Sequence, residues 1–216
     1  SKKYNLKIIE DAAHAAGTYY KGKKIGSHGN AVCFSFHPIK NLAMPTGGLI
    51  SINDKNHKKI QGELRAKRWC GITNRKNTNY DIKQIGNNYY MNEFSASIGL
   101  AQLKKLDRLN TIRRKIAKIY SQEIKINSKM PFDKHCSYHL YWILVKNRKE
   151  FQKRMIEHGI ETGTHYKPIH TFSLYKSKIK LKNTENIGKS VVTIPCHANL
   201  NETEIEKIIR LTNKFL

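Results

Sequence analysis

Long hydrophobic runs are missing from this chain. No apolar stretch approaches the ~20 residues that a membrane-spanning helix requires, so no transmembrane segment and no membrane partner are expected. No basic, apolar and small-residue leader pattern stands at the start. Cysteine is sparse: Cys33, Cys70, Cys136 and Cys196 lie far apart and form no CxxC. That spacing argues against a disulfide framework and for reduced thiols, hence a cytoplasmic protein. Cys136 with His139, and His165 with His170, have ligand-like spacing, but neither pair has a second pair beside it. A structural zinc takes four ligands, so no metal site is expected.

Acidic residues are also few, 16 against 40 Lys+Arg, for a formal net charge of +24. A surplus of this size raises nucleic acid as a partner. The basic residues run from Lys2 to Lys214, however, Lys outnumbers Arg, and no zinc finger or basic-aromatic repeat is present. The reading is therefore a solvated, lysine-rich surface and no nucleic-acid partner. Such a surface still attracts anionic small molecules such as nucleotide diphosphates.

What is present is the patterning of an α/β protein. The chain is 216 residues long, enough for a real core in one domain and a smaller second one. Lys7-Ile8-Ile9 reads as a short buried parallel strand. Tyr19 to Gly26 has the punctuation of a turn or hairpin. Ala31 to Phe36 and Gly48 to Ile52 read as strands, and His57 to Trp69 as a helix. Gly71 to Gln84, rich in Asn and Thr, reads as a loop. A long amphipathic helix begins after Asn92, a plausible N-cap, with Phe94, Ile98, Leu103, Leu106, Leu109, Ile112, Ile116 and Ile119 on one face. Composition shifts near Asn127 to Pro131, and the domains are drawn at 1–120 and 121–216. In the second, strands are expected at His139 to Val145, Ile160 to His165 and Val191 to Pro195, with helices at Arg148 to His158 and Asn201 to Lys214. Strands alternating with helices, with polar residues at strand ends, indicate an open sheet with its ligand at the carboxyl edge.

Two strand ends carry chemistry. Ile8-Ile9-Glu10-Asp11 ends on a carboxylate, and Cys33-Phe34-Ser35-Phe36-His37-Pro38-Ile39-Lys40 presents a hydroxyl, an imidazole and a lysine in six residues. A lysine partly buried among aromatics loses basicity and becomes a Schiff-base nucleophile. A lysine with an acidic partner for a pyridine nitrogen is the pairing of pyridoxal phosphate (PLP) chemistry. Each residue also has a plainer reading: Asp11 as a helix N-cap, Ser35 as a half-buried strand hydroxyl, His37 as a core histidine, His14 as a surface residue, Lys40 as surface decoration. The constellation carries the functional reading.

Ile9-Glu10-Asp11-Ala12-Ala13-His14-Ala15, Phe34-Ser35-Phe36-His37-Pro38-Ile39-Lys40-Asn41-Leu42 and Gly47-Gly48 resemble the DegT/DnrJ/EryC1/StrS family of PLP-dependent nucleotide-sugar aminotransferases. The resemblance continues through Gly86-Asn87-Asn88-Tyr89-Tyr90-Met91-Asn92-Glu93, Gln102-Leu103, His165 to His170, and Thr193-Ile194-Pro195-Cys196-His197. It implies the type I aminotransferase fold, here a partial large domain with an open, mostly parallel sheet and a small C-terminal α+β domain. It implies PLP held covalently as an aldimine on Lys40, with Asp11 at the pyridinium nitrogen, His14 near the ring hydroxyl, Ser35 on the phosphate and His37 as a catalytic neighbour of Lys40. Asn88 matches an Asn that reaches the phosphate from the second subunit of a homodimer. His165, Tyr166 and His170 resemble the substrate mouth. The implied reaction moves an amino group from a donor, glutamate by resemblance, to a nucleotide-diphosphate keto sugar, for amino-sugar and surface polysaccharide biosynthesis.

Two positions depart from the pattern. Tyr90 stands where the family often has Arg, and Met44-Pro45-Thr46 precedes Gly47-Gly48 where many members have Gly-Glu. Sugar dehydratases of the same fold typically replace the lysine with His, so Lys40 argues against that class. The sequence opens on Ser-Lys-Lys, and family members carry a long region before the Ile-Glu-Asp strand. The expectation is a piece of a larger protein that by itself binds PLP poorly. An inactive fragment, or a non-enzymatic pseudoenzyme or regulator on the same fold, is the alternative.

Overall fold

The computed structural model describes residues 1–216. The chain divides into two compact units, Ser1–Asp107 and Arg108–Leu216. The division falls within the long helix.

The first unit is built on a three-stranded sheet in the order β1 (Ile9–Asp11), β4 (Ala31–Ser35), β5 (Gly48–Ile52). β1 and β4 are parallel, with Asp11 opposite Cys33, and β4 and β5 are antiparallel, with Ser35 opposite Gly48. The parallel joint puts the carboxyl ends of β1 and β4 on one edge. Between them, β2 (Tyr19–Tyr20) and β3 (Lys23–Lys24) form a hairpin. Lys7 Nζ at 2.7 Å, Asn30 Nδ2 at 3.0 Å and the Asn56 amide at 2.9 Å converge on the buried Asp54 carboxyl. Lys7 above all holds that carboxyl down at about 2. This knot ties the start of β1 to the end of β5.

α1 (His57–Arg68) leads into β6 (Ile72–Lys76) and β7 (Asn79–Ile82), an antiparallel pair. The segment Gly71 to Gln84, expected as a loop, is thus a β-hairpin. Polar residues dominate it and its apolar ones are few, so no strand pattern stood out, while Asn77 adopts the positive φ of its turn and Asn74 that of an irregularity in β6. α2 (Glu93–Glu123) begins where the Asn92 side chain accepts from the Ser95 amide at 2.8 Å. Its apolar stripe is only partly covered: Leu106 and Ile116 are buried, while Phe94, Ile98 and Leu103 are exposed. β1 also departs from expectation, because Ile8 and Ile9 are exposed rather than buried. The first unit's buried apolar cluster is small: Ala16, Leu42, Met44 and Leu106, with Phe34, Phe36 and Met91 against it.

The second unit has the larger core. β8 (Tyr141–Leu144) and β9 (Val191–Ile194) pair antiparallel, with single bridges from Lys129 and Gly163 on either side. Helices α3 (Arg148–Glu157), α4 (Lys182–Ser190) and α5 (Glu202–Phe215) complete it. Tyr120, Tyr138, Tyr141, Phe151, Met155, Val192 and Leu211 are among its buried residues. The Tyr120 hydroxyl donates to Pro195 O at 2.8 Å and Tyr138 to Pro131 O at 3.0 Å, so these rings bury their polar tips with partners. The strand expected at Ile160 to His165 is absent. It reduces to the Gly163–Thr193 bridge, where a Cβ on Gly163 would stand 2.6 Å from Thr193 Oγ1.

Candidate active site

The Lys40 loop is shaped mostly by its own backbone. After β4, the Phe36 amide donates to Gly47 O at 2.9 Å and the Met44 amide to Phe36 O at 2.9 Å, closing the loop's two ends. Inside it, the Lys40 amide donates to His37 O at 2.8 Å. Asn41, Leu42 and Met44 are buried, so the chain dives into the core directly after Lys40. α2 backs this turn: a Cβ on Gly99 would stand 2.7 Å from Met44 Sδ. Gly48 returns the chain to the sheet where a side chain cannot fit, since a Cβ would sit 2.8 Å from Phe34 O.

Lys40 is half-buried, and desolvation lowers its basicity, while the charge of Asp11 works in the opposite direction. The charge of Asp11 thus reaches the Lys40 amine. Asp11 is the last residue of β1, and its Oδ1 accepts from the Ala13 amide at 3.0 Å. No helix follows, only turns, so the carboxylate braces an Asx turn and is not a helix cap. His14, half-buried, occupies that turn. Ser35 ends β4, and its Oγ accepts from the His37 amide at 3.3 Å. Its own hydroxyl proton is left to donate elsewhere. His37 is exposed, and its Nδ1 accepts from the Ile39 amide at 3.4 Å. It is not the core histidine of the plainer reading. Asp11, Ser35, His37 and Lys40 thus come together where β1 and β4 end.

Asn88 lies elsewhere in the same unit. It shares a cleft of about 510 Å³ with Thr46, Gly47, Gly48, Arg68 and Tyr90. Its Oδ1 accepts from the Tyr90 amide at 3.4 Å. His165, Tyr166 and His170 belong to the second unit. His165 Nδ1 is 2.7 Å from Thr193 Oγ1, and Tyr166 is exposed, edge-on to the His165 ring. His170 Nε2 is 3.3 Å from Glu185 Oε1. The Leu181 amide, and then His170, hold the Glu185 carboxyl below its usual range.

One group of residues escaped sequence reasoning. Arg65, Arg68 and Trp69 at the end of α1, Arg75 on β6, and Tyr90 line a cleft of about 740 Å³. The signal was the unusual Arg-x-x-Arg-Trp run with a third Arg shortly after it. It becomes legible only once Gly71 to Gln84 is seen as a hairpin that folds Arg75 back.

The chain is similar to known aminotransferases along almost its whole length. It is 35% identical over 214 residues to a UDP-4-amino-4,6-dideoxy-N-acetyl-beta-L-altrosamine transaminase of Campylobacter jejuni, covering 93% of this chain and 56% of that protein. Among solved structures it superposes on Helicobacter pylori PseC, an aminotransferase involved in the biosynthesis of pseudoaminic acid, with a TM-score of 0.90 and 32% identity, over 99% of this chain and 60% of that one. Spr1654 from Streptococcus pneumoniae, assigned as a sugar aminotransferase and solved in a PLP form, gives 0.89 and 26% identity over 98% of this chain and 59% of that one. The chain therefore spans little more than half the length of the relatives it matches. Its α/β fold is the corresponding part of the type I aminotransferase fold. A family model matches residues 1–212, and with the Asp11–Lys40 geometry in place the conclusion is that this chain belongs to the DegT/DnrJ/EryC1/StrS aminotransferase family.

Proposed function

We propose that the protein containing this chain is a PLP-dependent aminotransferase that moves an amino group between an amino-acid donor, glutamate by family resemblance, and a keto sugar carried on a nucleotide diphosphate. The observation that carries this reading is a partly buried lysine and a carboxylate brought to the same carboxyl edge of two parallel strands, where burial lowers the lysine's basicity. Bound PLP would supply an electron sink for the charge left when a Cα proton departs.

The chain's own residues supply the rest. Lys40 Nζ would hold the cofactor covalently and, once released, take and return the Cα proton. Its lowered basicity makes the free amine more available for both tasks. The Asp11 carboxylate would pair with the ring nitrogen and keep it protonated. Ser35 Oγ, accepting from the His37 amide, would turn its proton toward the cofactor phosphate. His14 would stand near the ring hydroxyl and His37 beside Lys40. Asn88 would serve the phosphate of a partner subunit's site in a homodimer, and His165, Tyr166 and His170 would line the substrate mouth. The relatives' sugar transaminase activity supports a place in amino-sugar and surface polysaccharide biosynthesis, and four free, scattered cysteines fit a reducing compartment such as the cytoplasm.

The test uses the full-length protein. Lys40→Ala should abolish turnover with a nucleotide keto sugar and glutamate. Borohydride treatment of the wild type, followed by peptide mass mapping, should place the reduced cofactor on Lys40. Unchanged turnover in the variant, or a label on another lysine, would end this reading.

A further inference from the structure

We propose that α4 is the seat of the substrate mouth, with Glu185 and Gly188 as positioning residues that hold segment 165–170 in one attitude and so fix where Tyr166 meets the sugar nucleotide. This inference rests on the nucleotide-sugar reading, which puts His165, Tyr166 and His170 at that mouth.

Segment 165–170 is pinned at three points. His165 Nδ1 lies 2.7 Å from Thr193 Oγ1 on β9. The Pro168 ring fills the space over Gly188, where a Cβ would stand 2.4 Å from Pro168 Cγ. His170 Nε2 lies 3.3 Å from Glu185 Oε1. As the segment advances from 165 to 170, its partners step back from 193 through 188 to 185. The segment therefore runs antiparallel to α4 and the strand that follows it. Its pinned residues are half-buried, while Tyr166, Lys167 and Ile169 between them are exposed. The pins thus decide which side chains are turned outward.

The plainer account of Glu185 is a carboxylate at a helix start. It stands in the first turn of α4, and its Oε1 accepts from the Leu181 amide at 3.1 Å, which suits the helix dipole. That account leaves two facts over. The same oxygen also meets a histidine fifteen residues earlier in the chain. A carboxylate can only accept, so His170 Nε2 carries the proton, and the orientation of its ring is set. Gly188, three residues on, shares that face of the helix. It is not among the glycines with positive φ, so its backbone does not call for glycine, whereas the close approach of Pro168 does. The seat itself is firm. The Val145 amide donates to Ser190 O at 2.9 Å, and Arg148 Nη1 donates to Gly188 O, so α4 is tied to the end of β8 and to α3. A side chain held on such elements keeps a more exact position than one on a free loop.

The test uses the full-length protein, with UDP-4-amino-4,6-dideoxy-N-acetyl-beta-L-altrosamine, the sugar in the Campylobacter relative's name, as probe and 2-oxoglutarate as amine acceptor. In Glu185→Ala the KM for the sugar should rise at least about fivefold, while kcat and the KM for 2-oxoglutarate stay within about twofold of wild type. Glu185→Gln keeps an oxygen for the Leu181 amide and His170, so it should restore the KM. Gly188→Ala, which drives a Cβ into Pro168, should raise the KM as Glu185→Ala does. Amide hydrogen exchange should quicken across residues 166–171 in Glu185→Ala, but not in Glu185→Gln, and stay unchanged in β8. A sugar KM unmoved in Glu185→Ala, a Gln variant as impaired as the Ala variant, a loss confined to kcat, or exchange at 166–171 indifferent to Glu185→Ala would each overturn the proposal. Wild type that carries reducible cofactor on Lys40 but leaves this sugar unchanged would overturn the mouth and spare the role of Lys40. Wild type with no cofactor on Lys40 would defeat the aminotransferase reading and this inference together.

Discussion

Burial and the charge of Asp11 act on Lys40 in opposite directions. Burial makes the lysine less basic, and the carboxylate makes it more so. Removing the carboxylate charge by Asp11→Asn leaves desolvation unopposed, so the Lys40 amine should lose its proton at lower pH. The variant should therefore trap a small aldehyde at Lys40 faster than wild type at pH 7, with the midpoint of the pH–rate curve moved downward. Turnover should nonetheless fall by about 10²-fold or more, because the group that keeps the ring nitrogen charged is gone. A midpoint that moved upward would show that the two side chains do not face each other. At this scale the sequence was informative. Lys40, Ser35 and Asp11 sit within or beside strands whose apolar runs mark their position. The aim of the Ser35 hydroxyl and the Asx turn at Asp11 depend on backbone amides, which no residue pattern encodes.

At the scale of single elements, legibility followed burial and capping. The last helix announces itself by Asn201 and Glu204, and both halves of the capping box form, with the Glu204 amide 2.9 Å from Asn201 Oδ1. Asn201→Ala should cost about 1 kcal/mol of stability, read as a lower urea midpoint at unchanged slope. The strands of the second unit were readable because Tyr141 and Ile143, and all of Val191 to Ile194, are buried. The β6–β7 hairpin was not, because its few apolar residues, Ile72, Tyr80 and Ile82, are diluted by Asn, Thr, Lys and Arg and mostly exposed, and Gly71 and Asn77 set its turns. The segment from Ile160 to His165 misled in the other direction. It has strand composition, but only Gly163 comes near enough to pair.

The whole molecule is uneven in how it stores its stability. The second unit buries a cluster of tyrosines, aliphatics and Met155 around two strands, whereas the first unit's buried cluster is only Ala16, Leu42, Met44 and Leu106, and Ile9, Leu49 and Ile50 lie open to solvent. Local opening is easiest where few apolar contacts must be broken. Amide hydrogen exchange on this 216-residue chain should therefore be slowest in β8, β9 and α5 and much faster in β1, β4 and β5. Equal protection in both units would contradict the contrast in their cores. The net charge of +24 was legible at once but says little about fold, since it describes a surface.

Trp69 and Trp142 are the chain's two tryptophans, and they fall one to each unit. Trp142 is half-buried on β8, opposite Thr193, while Trp69 sits at the rim of the arginine cleft against Tyr90. The molecule thus carries two separable optical reporters. Single Trp→Phe variants would let emission follow the melting of each unit by itself, Trp69 reporting on the α1–hairpin junction and Trp142 on the β8–β9 pair.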